Sequence, residues 1–210
     1  MPQTFYTEKE YKDMQSIVCV FERCFERFES HIRDIDEKSK NLKQRRENGM
    51  YPFIPLSPYE FTNTLSFVRT YLNNKRKYNG TFIDVGCGPG TKVILAHELG
   101  FKAHGIEYDL ELVKIAKKIC MKVFYDDSTI ELGDALTYNF YDKYDVIYYY
   151  CPLSDRDKQI ILEKKIEDDM KVGAILISFN KQDLTIEKDK RFKDINPSEH
   201  YRKIFQKIKK

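Results

Sequence analysis

The feature that most constrains this chain is a short apolar run that ends in a glycine-rich turn. Residues 82–85 (Phe-Ile-Asp-Val) have the composition of a buried strand, and three glycines follow, Gly86, Gly88 and Gly90. A helical pattern of apolar residues begins directly after them. Glycines let the backbone approach a ligand closely at a strand-to-helix turn. The segment therefore predicts the first unit of an α/β fold, with a binding site in the crevice above the sheet.

Apolar runs and helical patterns alternate through the rest of the chain. Strands are predicted near residues 82–85, 103–106, 129–132, 145–150 and 173–179. Helices are predicted from residue 58 to about 79, near 91–100, over 110–120, and after Ser154, which is the expected N-cap. This alternation predicts a Rossmann-like, doubly wound, mostly parallel sheet over residues 58–210. Residues 181–200 predict a loop. The last ten residues fit a helical period, although the fold favours an antiparallel strand pair there.

Residues 1–57 predict a helical extension and a connector. Over residues 8–47, apolar residues recur at heptad spacing and predict one long amphipathic helix. The apolar positions are Met14, Val18, Phe21, Phe25, Phe28, Ile32 and Ile35. Three prolines between residues 52 and 58 predict an extended connector. The apolar stripe must be buried, either against the same chain, which gives a monomer and is favoured, or against a second copy, which gives a homodimer.

Acidic residues stand at the ends of three predicted strands. Asp84 precedes the first glycine by two positions, where a carboxylate repels a phosphate and favours a cation. Glu107 ends the second strand, where a carboxylate can accept hydrogen bonds from both hydroxyls of a ribose. Asp134 follows the third strand, within reach of an adenine amino group. The spacing of the glycines also differs from the GxGxxG pattern of dinucleotide sites.

The fourth strand ends in Tyr148, Tyr149, Tyr150, Cys151 and Pro152. Alternation places Tyr148 and Tyr150 on one face and Tyr149 on the other. Aromatic rings near a bound cation are favourable because the ring face carries negative charge. Packing within the sheet is the alternative role for each tyrosine.

In this order and spacing, these features resemble the class I S-adenosylmethionine (SAM)-dependent methyltransferase family. Residues 84–90 are similar to its glycine motif, Glu107 to its ribose-binding acid and residues 133–135 to its adenine-side motif. The resemblance covers roughly residues 58–180. It implies SAM as the cofactor, methyl transfer as the activity and no metal. The implied cofactor contacts are Asp84, Gly86, Cys87, Gly88, Pro89, Gly90, Glu107, Tyr108, Asp134, Ala135 and Tyr149.

The methyl acceptor stays open between a protein side chain, RNA and a small molecule. Residues 150–153 (Tyr-Cys-Pro-Leu) depart from the Asn/Asp-Pro-Pro-Tyr/Phe motif of families that methylate exocyclic or amide nitrogens, so those substrates are disfavoured. Tyr148, Tyr150 and Cys151 are the candidate catalytic residues, at the place where an acceptor should lie. Two alternatives to the enzyme are a catalytically idle SAM-binding protein that acts through its N-terminal helix, and a NAD-dependent oxidoreductase, which Asp84 disfavours.

Charge and cysteine content bear on partners and compartment. Residues 81–180 carry 12 Lys/Arg against 17 Asp/Glu, whereas residues 1–80 carry 14 against 11 and residues 181–210 carry 10 against 5. The basic flanks either keep the protein soluble or meet an acidic partner such as RNA. Five scattered cysteines without a CxxC pair predict reduced thiols in the cytoplasm. The longest apolar stretch is too short for a membrane span.

Overall fold

The computed structural model describes residues 57–73, 80–124, 126, 129–196 and 202–210. The predicted N-terminal helix and nearly all of the proline connector lie outside these residues. The described helices are α1 (Pro58–Asn73), α2 (Thr91–Glu98), α3 (Leu110–Phe124) and α4 (Arg156–Asp169). Two short 3-10 helices are formed by Tyr141–Lys143 and Leu184–Lys188. Within the described residues, no helix combines the length and apolar character that crossing a bilayer requires.

In the part of the chain that the structure describes, seven strands form one sheet in the order β3-β2-β1-β4-β5-β7-β6. The strands are β1 (Thr81–Val85), β2 (Lys102–Glu107), β3 (Ile130–Leu132), β4 (Val146–Tyr150), β5 (Ile175–Phe179), β6 (Phe192–Asp194) and β7 (Arg202–Lys207). Neighbours among the first five strands pair in parallel, and β7 pairs antiparallel with both β5 and β6. The strand order reverses between β1 and β4, which is where open α/β sheets place their ligands. The Rossmann-like prediction is confirmed.

One face of the sheet is covered by α1, α2 and α3. The apolar stripe of α1 consists of Phe61, Leu65, Val68 and Leu72, and each of these side chains is buried. Their spacing of four, three and four residues keeps them on one side of the helix, as the sequence predicts. Each contributes about 1.5–3 kcal/mol by leaving water. The helix is therefore held on the sheet by packing. Phe61 in its first turn meets Tyr148 in the middle of β4, and the charge of Glu60 acts on Tyr150 at the end of that strand.

The opposite face is covered by α4 and the two 3-10 helices. Leu162 and Ile166 of α4 are fully buried there beside Ile147 of β4. The cap of α4 corrects the sequence prediction, because Asp155 rather than Ser154 is the N-cap. The Asp155 carboxylate accepts hydrogen bonds from two backbone N–H groups of the first turn, at 3.0 and 3.1 Å. A carboxylate satisfies these unpaired donors and also favours the positive end of the helix dipole.

The C-terminal region also differs from the prediction. Residues 181–200, predicted as loop, contain a 3-10 helix and β6, and of the two structures left open for the last ten residues, Arg202–Lys207 form the strand β7. Ile204 and Phe205 are adjacent in β7 and both are buried, the first in the core under α1 and the second in the core under α4. A strand covered on both faces loses its alternation of apolar and polar residues. The adjacent apolar residues of β7 therefore fit a helical period better than the alternation expected of a strand.

Candidate functional site

The glycine turn (residues 86–90) is built from backbone that other residues adopt with difficulty. Gly86, Gly88 and Gly90 have φ angles of 78°, 53° and 81°, which glycine reaches at no steric cost. The N–H groups of Gly86 and Cys87 both donate to the carbonyl of Ile106, at 2.9 and 3.0 Å. The turn after β1 is therefore anchored on the last part of β2. This anchoring fixes the position of the turn above the strand-order reversal.

The glycine turn also touches the loop that follows β4. A Cβ atom added to Gly86 would lie 2.6 Å from Cβ of Pro152, closer than two carbon atoms can pack. Glycine at position 86 is therefore required for two reasons: its φ is positive, and a side chain there would clash with Pro152. The sequence pattern predicts Gly86 as a cofactor contact, but it gives no sign of the contact between Gly86 and Pro152. This contact joins the loops that follow β1 and β4.

Glu107 places a carboxylate directly beneath the glycine turn. Its Oε2 accepts from the N–H of Gly88 and its Oε1 from the N–H of Asp109, both at 2.9 Å, and the residue is 9% exposed. A dinucleotide pyrophosphate would need the N–H groups of such a turn and would be repelled by this charge. A carboxylate has about four acceptor positions, so these two bonds are compatible with hydroxyl donors from a ligand. The geometry favours a sugar over a phosphate.

Asp84 adds a second buried carboxylate at the end of β1. Burial raises its pKa from 3.8 to about 7, the positive charge of Lys92 opposes this rise, and the negative charge of Glu107 adds to it. Lys92 lies in the first turn of α2 and is itself buried. A cation bound in the crevice would stabilise the ionised form of Asp84. The two carboxylates therefore make this part of the crevice suited to a positively charged ligand.

Cys87 and Pro89 complete the turn and are both buried. The Cys87 side chain packs inward, because a Cβ added to Gly105 would lie 2.7 Å from its Sγ atom. Burial raises the pKa of the Cys87 thiol well above its usual range, and the charges of Asp84 and Glu107 raise it further. The thiol is therefore neutral at physiological pH. Cys87 contributes its backbone to the turn and its side chain to the core.

The predicted adenine-side residues lie at the ends of β2 and β3, beside Glu107. The N–H of Gly133 donates to the Glu107 carbonyl at 2.9 Å, which ties the two strand ends together. Asp134 accepts from the N–H of Leu136 at 2.9 Å and so caps the turn that contains the half-buried Ala135. Tyr108 is 50% exposed. This half of the edge thus presents an aromatic ring and a carboxylate close to the glycine turn.

The three tyrosines of β4 have different surroundings. Tyr148 and Tyr149 are buried in the two opposite cores, as the alternation predicts. The Tyr148 ring lies 5.0 Å from that of Phe61, so its contacts are those of a core residue. Burial raises the pKa of Tyr149 well above its usual range, and the charge of Glu163 raises it further. Tyr150 is the one of the three that is not fully buried, and it lies at the edge where the crevice opens.

The residues after β4 and β5 share an unusual backbone conformation. Cys151 has a φ of 37° and Asn180 a φ of 53°, and both are non-glycine residues in the left-handed region. Burial and the charge of Glu163 raise the pKa of the Cys151 thiol to about 11, although a hydrogen bond from Gln182 lowers it. A neutral thiol is a weak nucleophile and a weak base. Asn180 could not be predicted from the sequence, because no residue pattern indicates that its φ is positive.

A family model described as a methyltransferase domain matches residues 76–207 of the chain. A search of curated proteins found no match. The solved structures that resemble the chain include an RNA methyltransferase from Salinibacter ruber in complex with S-adenosyl-L-homocysteine (SAH). That protein is 18% identical, with 75% of this chain and 95% of that chain covered and a TM-score of 0.54.

Two further structures have the same fold. Magnesium protoporphyrin IX methyltransferase from Synechocystis PCC 6803, with bound SAM, is 17% identical, and the match covers 84% of this chain and 94% of that chain with a TM-score of 0.52. A putative SAM-dependent methyltransferase from Methanococcus maripaludis is 16% identical, with 72% and 90% covered and a TM-score of 0.51. At these identities the likeness concerns the fold of the sheet and its helices.

Proposed function

The chain belongs to the class I family of SAM-dependent methyltransferases, and from this premise we propose that it transfers a methyl group from SAM to an acceptor held over the ends of β4 and β5. One observation carries the proposal. The Glu107 carboxylate is fixed by the N–H groups of Gly88 and Asp109 at the strand-order reversal. It is suited to hydroxyl donors and hostile to a phosphate.

The residues present fit SAM in shape and in charge. Glu107 would hold the ribose hydroxyls, and Asp84 would face the ammonium group. The glycine turn would allow close approach, since Gly86 and Gly88 lack a Cβ. When bound, SAM supplies a methyl group already activated on a sulfonium. Of the predicted cofactor contacts, Tyr149 has the weakest support, because its ring is enclosed in the core under α4.

The chain's own contribution to the reaction is positioning. Aligning the acceptor atom with the S–methyl bond in a crevice without water lowers the barrier by removing translational and rotational freedom. The two candidate groups nearest the opening stay protonated at neutral pH and so cannot accept a proton, because burial is the main cause that raises the pKa values of the Cys151 thiol and the Tyr150 phenol. We therefore propose an acceptor that is nucleophilic without help from these two groups. Tyr150 and Cys151 would shape its binding place.

The decisive experiment supplies tritiated SAM and separated acceptors. Purified protein is incubated with protein, RNA, DNA and metabolite fractions of a cell extract, and the label in each fraction is counted. We expect one fraction to gain label, and Glu107→Ala to abolish the gain. A protein that binds SAH tightly yet labels none of the four fractions would instead support the alternative, a SAM-binding protein without turnover.

We further propose that the acceptor is a polyanion such as RNA, which docks on exposed lysines around β6. The lysines in this patch are Lys188, Lys190, Lys193, Lys209 and Lys210. The N–H of Ile208 donates to the carbonyl of Arg191 at 2.7 Å, which brings Lys209 beside Lys190. Other basic residues of this region already pair with acidic side chains of the same chain, for example Lys203 with Glu187 at 2.7 Å. The patch lies toward the edge of the sheet opposite the glycine turn, so it would anchor a macromolecule rather than line the crevice.

This docking proposal is tested by salt and by charge removal. Binding of a fluorescent single-stranded RNA should weaken steeply with salt, because phosphate contacts release counterions. Lys190→Gln combined with Lys209→Gln should weaken binding about tenfold at low salt. The control, Lys118→Gln with Lys158→Gln, removes two exposed charges elsewhere and should change little. Equal losses in both double variants would show that only net charge matters and would contradict a docking patch.

We also propose that the N-terminal segment folds back on the catalytic domain of its own chain. The described part begins at Ser57, and Glu60 in the first turn of α1 lies near enough to Tyr150 for its charge to act on that phenol, so the predicted helix would join the fold near the end of β4. Phe21, Phe25 and Phe28 would be buried there, each with a gain of about 1.5–3 kcal/mol. Light scattering tests the proposal: a dimer that Phe25→Asp converts to a monomer, with SAH affinity intact, would show that the segment serves assembly.

A further inference from the structure

The loops after β4 and β5 both start from strained backbone and lie side by side. The β4 loop (residues 151–153) begins at Cys151 and the β5 loop (residues 180–183) begins at Asn180, each with a positive φ. Tyr150 and Phe179 are register partners on the two parallel strands, so the loops leave the sheet at the same level. Non-glycine residues stay in this conformation where the surrounding structure holds them there. The structure must therefore contain something that restrains both loops.

A carboxylate of α4 restrains the β5 loop. Glu163 is fully buried, and four donors converge on it. Its Oε1 accepts from Gln159 Nε2 at 2.9 Å and from the N–H of Gln182 at 3.0 Å. Its Oε2 accepts from Lys181 Nζ at 2.9 Å and from the N–H of Asp183 at 2.8 Å. Four bonds match the acceptor capacity of a carboxylate, and three of the donors belong to the β5 loop.

The same carboxylate reaches the β4 loop through one side chain. Gln159 lies one helical turn before Glu163, and its Oε1 accepts from the N–H of Leu153 at 3.1 Å. Since the amide nitrogen of Gln159 donates to Glu163, its orientation is fixed, with oxygen toward the β4 loop and nitrogen toward the carboxylate. The chain of contacts runs from Leu153 through Gln159 and Glu163 to the backbone of residues 182 and 183. One helix therefore sets the relative position of the two loops.

The charges of this cluster are balanced by ion pairs. The Lys181 side chain is fully buried between Glu163 and Glu167, at 2.9 and 2.7 Å from their oxygens. Lys164 bridges Glu167 and Asp183 from the outside. Buried ion pairs of this kind often give no more stability than apolar side chains of the same size. Unlike apolar packing, this cluster makes hydrogen bonds to the backbone of both loops.

We propose that Glu163 is a positioning residue for methyl transfer, which acts by holding the β4 and β5 loops at the acceptor side of the crevice. The inference rests on the proposed function, because the acceptor is expected beside Tyr150 and these loops. Glu163 touches neither the glycine turn nor Glu107 in the contacts described. Its loss should therefore affect the acceptor and leave the cofactor in place.

Glu163→Gln tests the proposal with almost no change in size. Either orientation of the new amide points an NH2 group at two donors, so two of the four bonds are lost. We expect faster hydrogen exchange at the amides of Gln182 and Asp183, faster alkylation of Cys151 by iodoacetamide, and SAH affinity within about twofold of wild type. Transfer of tritium to the labelled fraction should fall at least tenfold. Asp157→Asn, which removes an exposed carboxylate from the same helix, is the control.

Gln159→Met distinguishes the effect on the β4 loop from the effect on the β5 loop. It also keeps the proposal testable if Glu163→Gln does not fold. It removes the acceptor for Leu153 and leaves the bonds of Glu163 to the β5 loop, so exchange should rise at Leu153 and not at Asp183. Unchanged exchange in both variants would overturn the proposal, as would loosened loops with full transfer. The proposed function fails separately, if wild-type protein binds SAH and labels no fraction. In that case the Cys151 and exchange measurements still decide whether Glu163 holds the loops.

Discussion

The two halves of the sheet edge each depend on a buried glutamate, but they use it differently. On the β1–β2 side, Glu107 accepts the N–H groups of Gly88 and Asp109. On the β4–β5 side, Glu163 accepts two backbone N–H groups, the amide of Gln159 and the ammonium of Lys181. Glu107 stands at a strand end facing the crevice, whereas Glu163 stands on a helix behind the loops. Glu107 is suited to bind a ligand, and Glu163 is suited to fix the positions of the two loops.

The two halves of the sheet edge also reach left-handed backbone in different ways. The glycine turn reaches left-handed φ angles with residues that adopt them without strain, so it keeps its shape with few side-chain contacts. Cys151 and Asn180 reach similar angles as non-glycine residues and depend on the α4 cluster. The glycine turn must approach a ligand closely and has no room for side chains at its glycines. The loops that begin at Cys151 and Asn180 can carry side chains because α4 restrains them. The cofactor side and the acceptor side therefore hold their turns by different means.

The largest expected effect is on the cofactor side, in Glu107→Ala. Each hydrogen bond to a charged group contributes about 1.5–3 kcal/mol, and two ribose hydroxyls depend on this carboxylate, so SAH affinity should fall by about 100-fold or more by calorimetry. The free protein should also lose stability, because the N–H groups of the buried Gly88 and the half-buried Asp109 lose their acceptor. Glu111→Ala, in an exposed pair with Lys114, should change neither quantity. Unchanged SAH affinity would show that the ribose lies elsewhere.

The contact between the two halves is tested by Gly86→Ala. The new Cβ meets Pro152 at 2.6 Å, and the φ of 78° also disfavours alanine. Gly100→Ala is a matched control, since Gly100 has a φ of 84° but its Cβ would meet only Arg69 at 3.7 Å. Left-handed backbone costs alanine about 1–2 kcal/mol, so Gly100→Ala should lower the free energy of unfolding by that amount. Gly86→Ala should cost about 2 kcal/mol more in urea titrations, and equal losses would mean that the loops do not press on each other.

The smallest effect concerns pH and sharpens the role of Asp84. With its pKa raised to about 7, Asp84 is largely protonated at pH 6 in the free protein. A bound ammonium favours the carboxylate, so binding releases a proton and SAH affinity should rise with pH below 7 and level off above it. The slope should reach at most about tenfold per pH unit, or about 1.4 kcal/mol. Asp84→Asn should flatten the profile, and a wild-type profile already flat between pH 6 and 8 would contradict this assignment.

The sequence predicted most of the fold because its signals were local. The order of β1 to β5 and their helices followed from apolar periods and glycine punctuation, and the stripe of α1 from residue spacing alone. The C-terminal strands were less predictable. The strand β7 pairs with β5, which lies about 25 residues earlier in the chain. Burial of β7 on both faces also removes the alternation that identifies a strand. The N-terminal helix stays a prediction, since it lies outside the described residues.

By itself, the sequence determined which residues could meet a SAM-like ligand, because glycines and strand-end acids occupy fixed places relative to local elements. Only the tertiary structure decided how Glu107 is oriented, that Gly86 presses on Pro152, and that Tyr148 packs in the core while Tyr150 reaches the edge. It also decided that Glu163 serves loops about 10–20 residues away along the chain. The physical reason is that periodicity reports which face of an element is buried, whereas hydrogen-bond partners across elements depend on distances that folding alone sets.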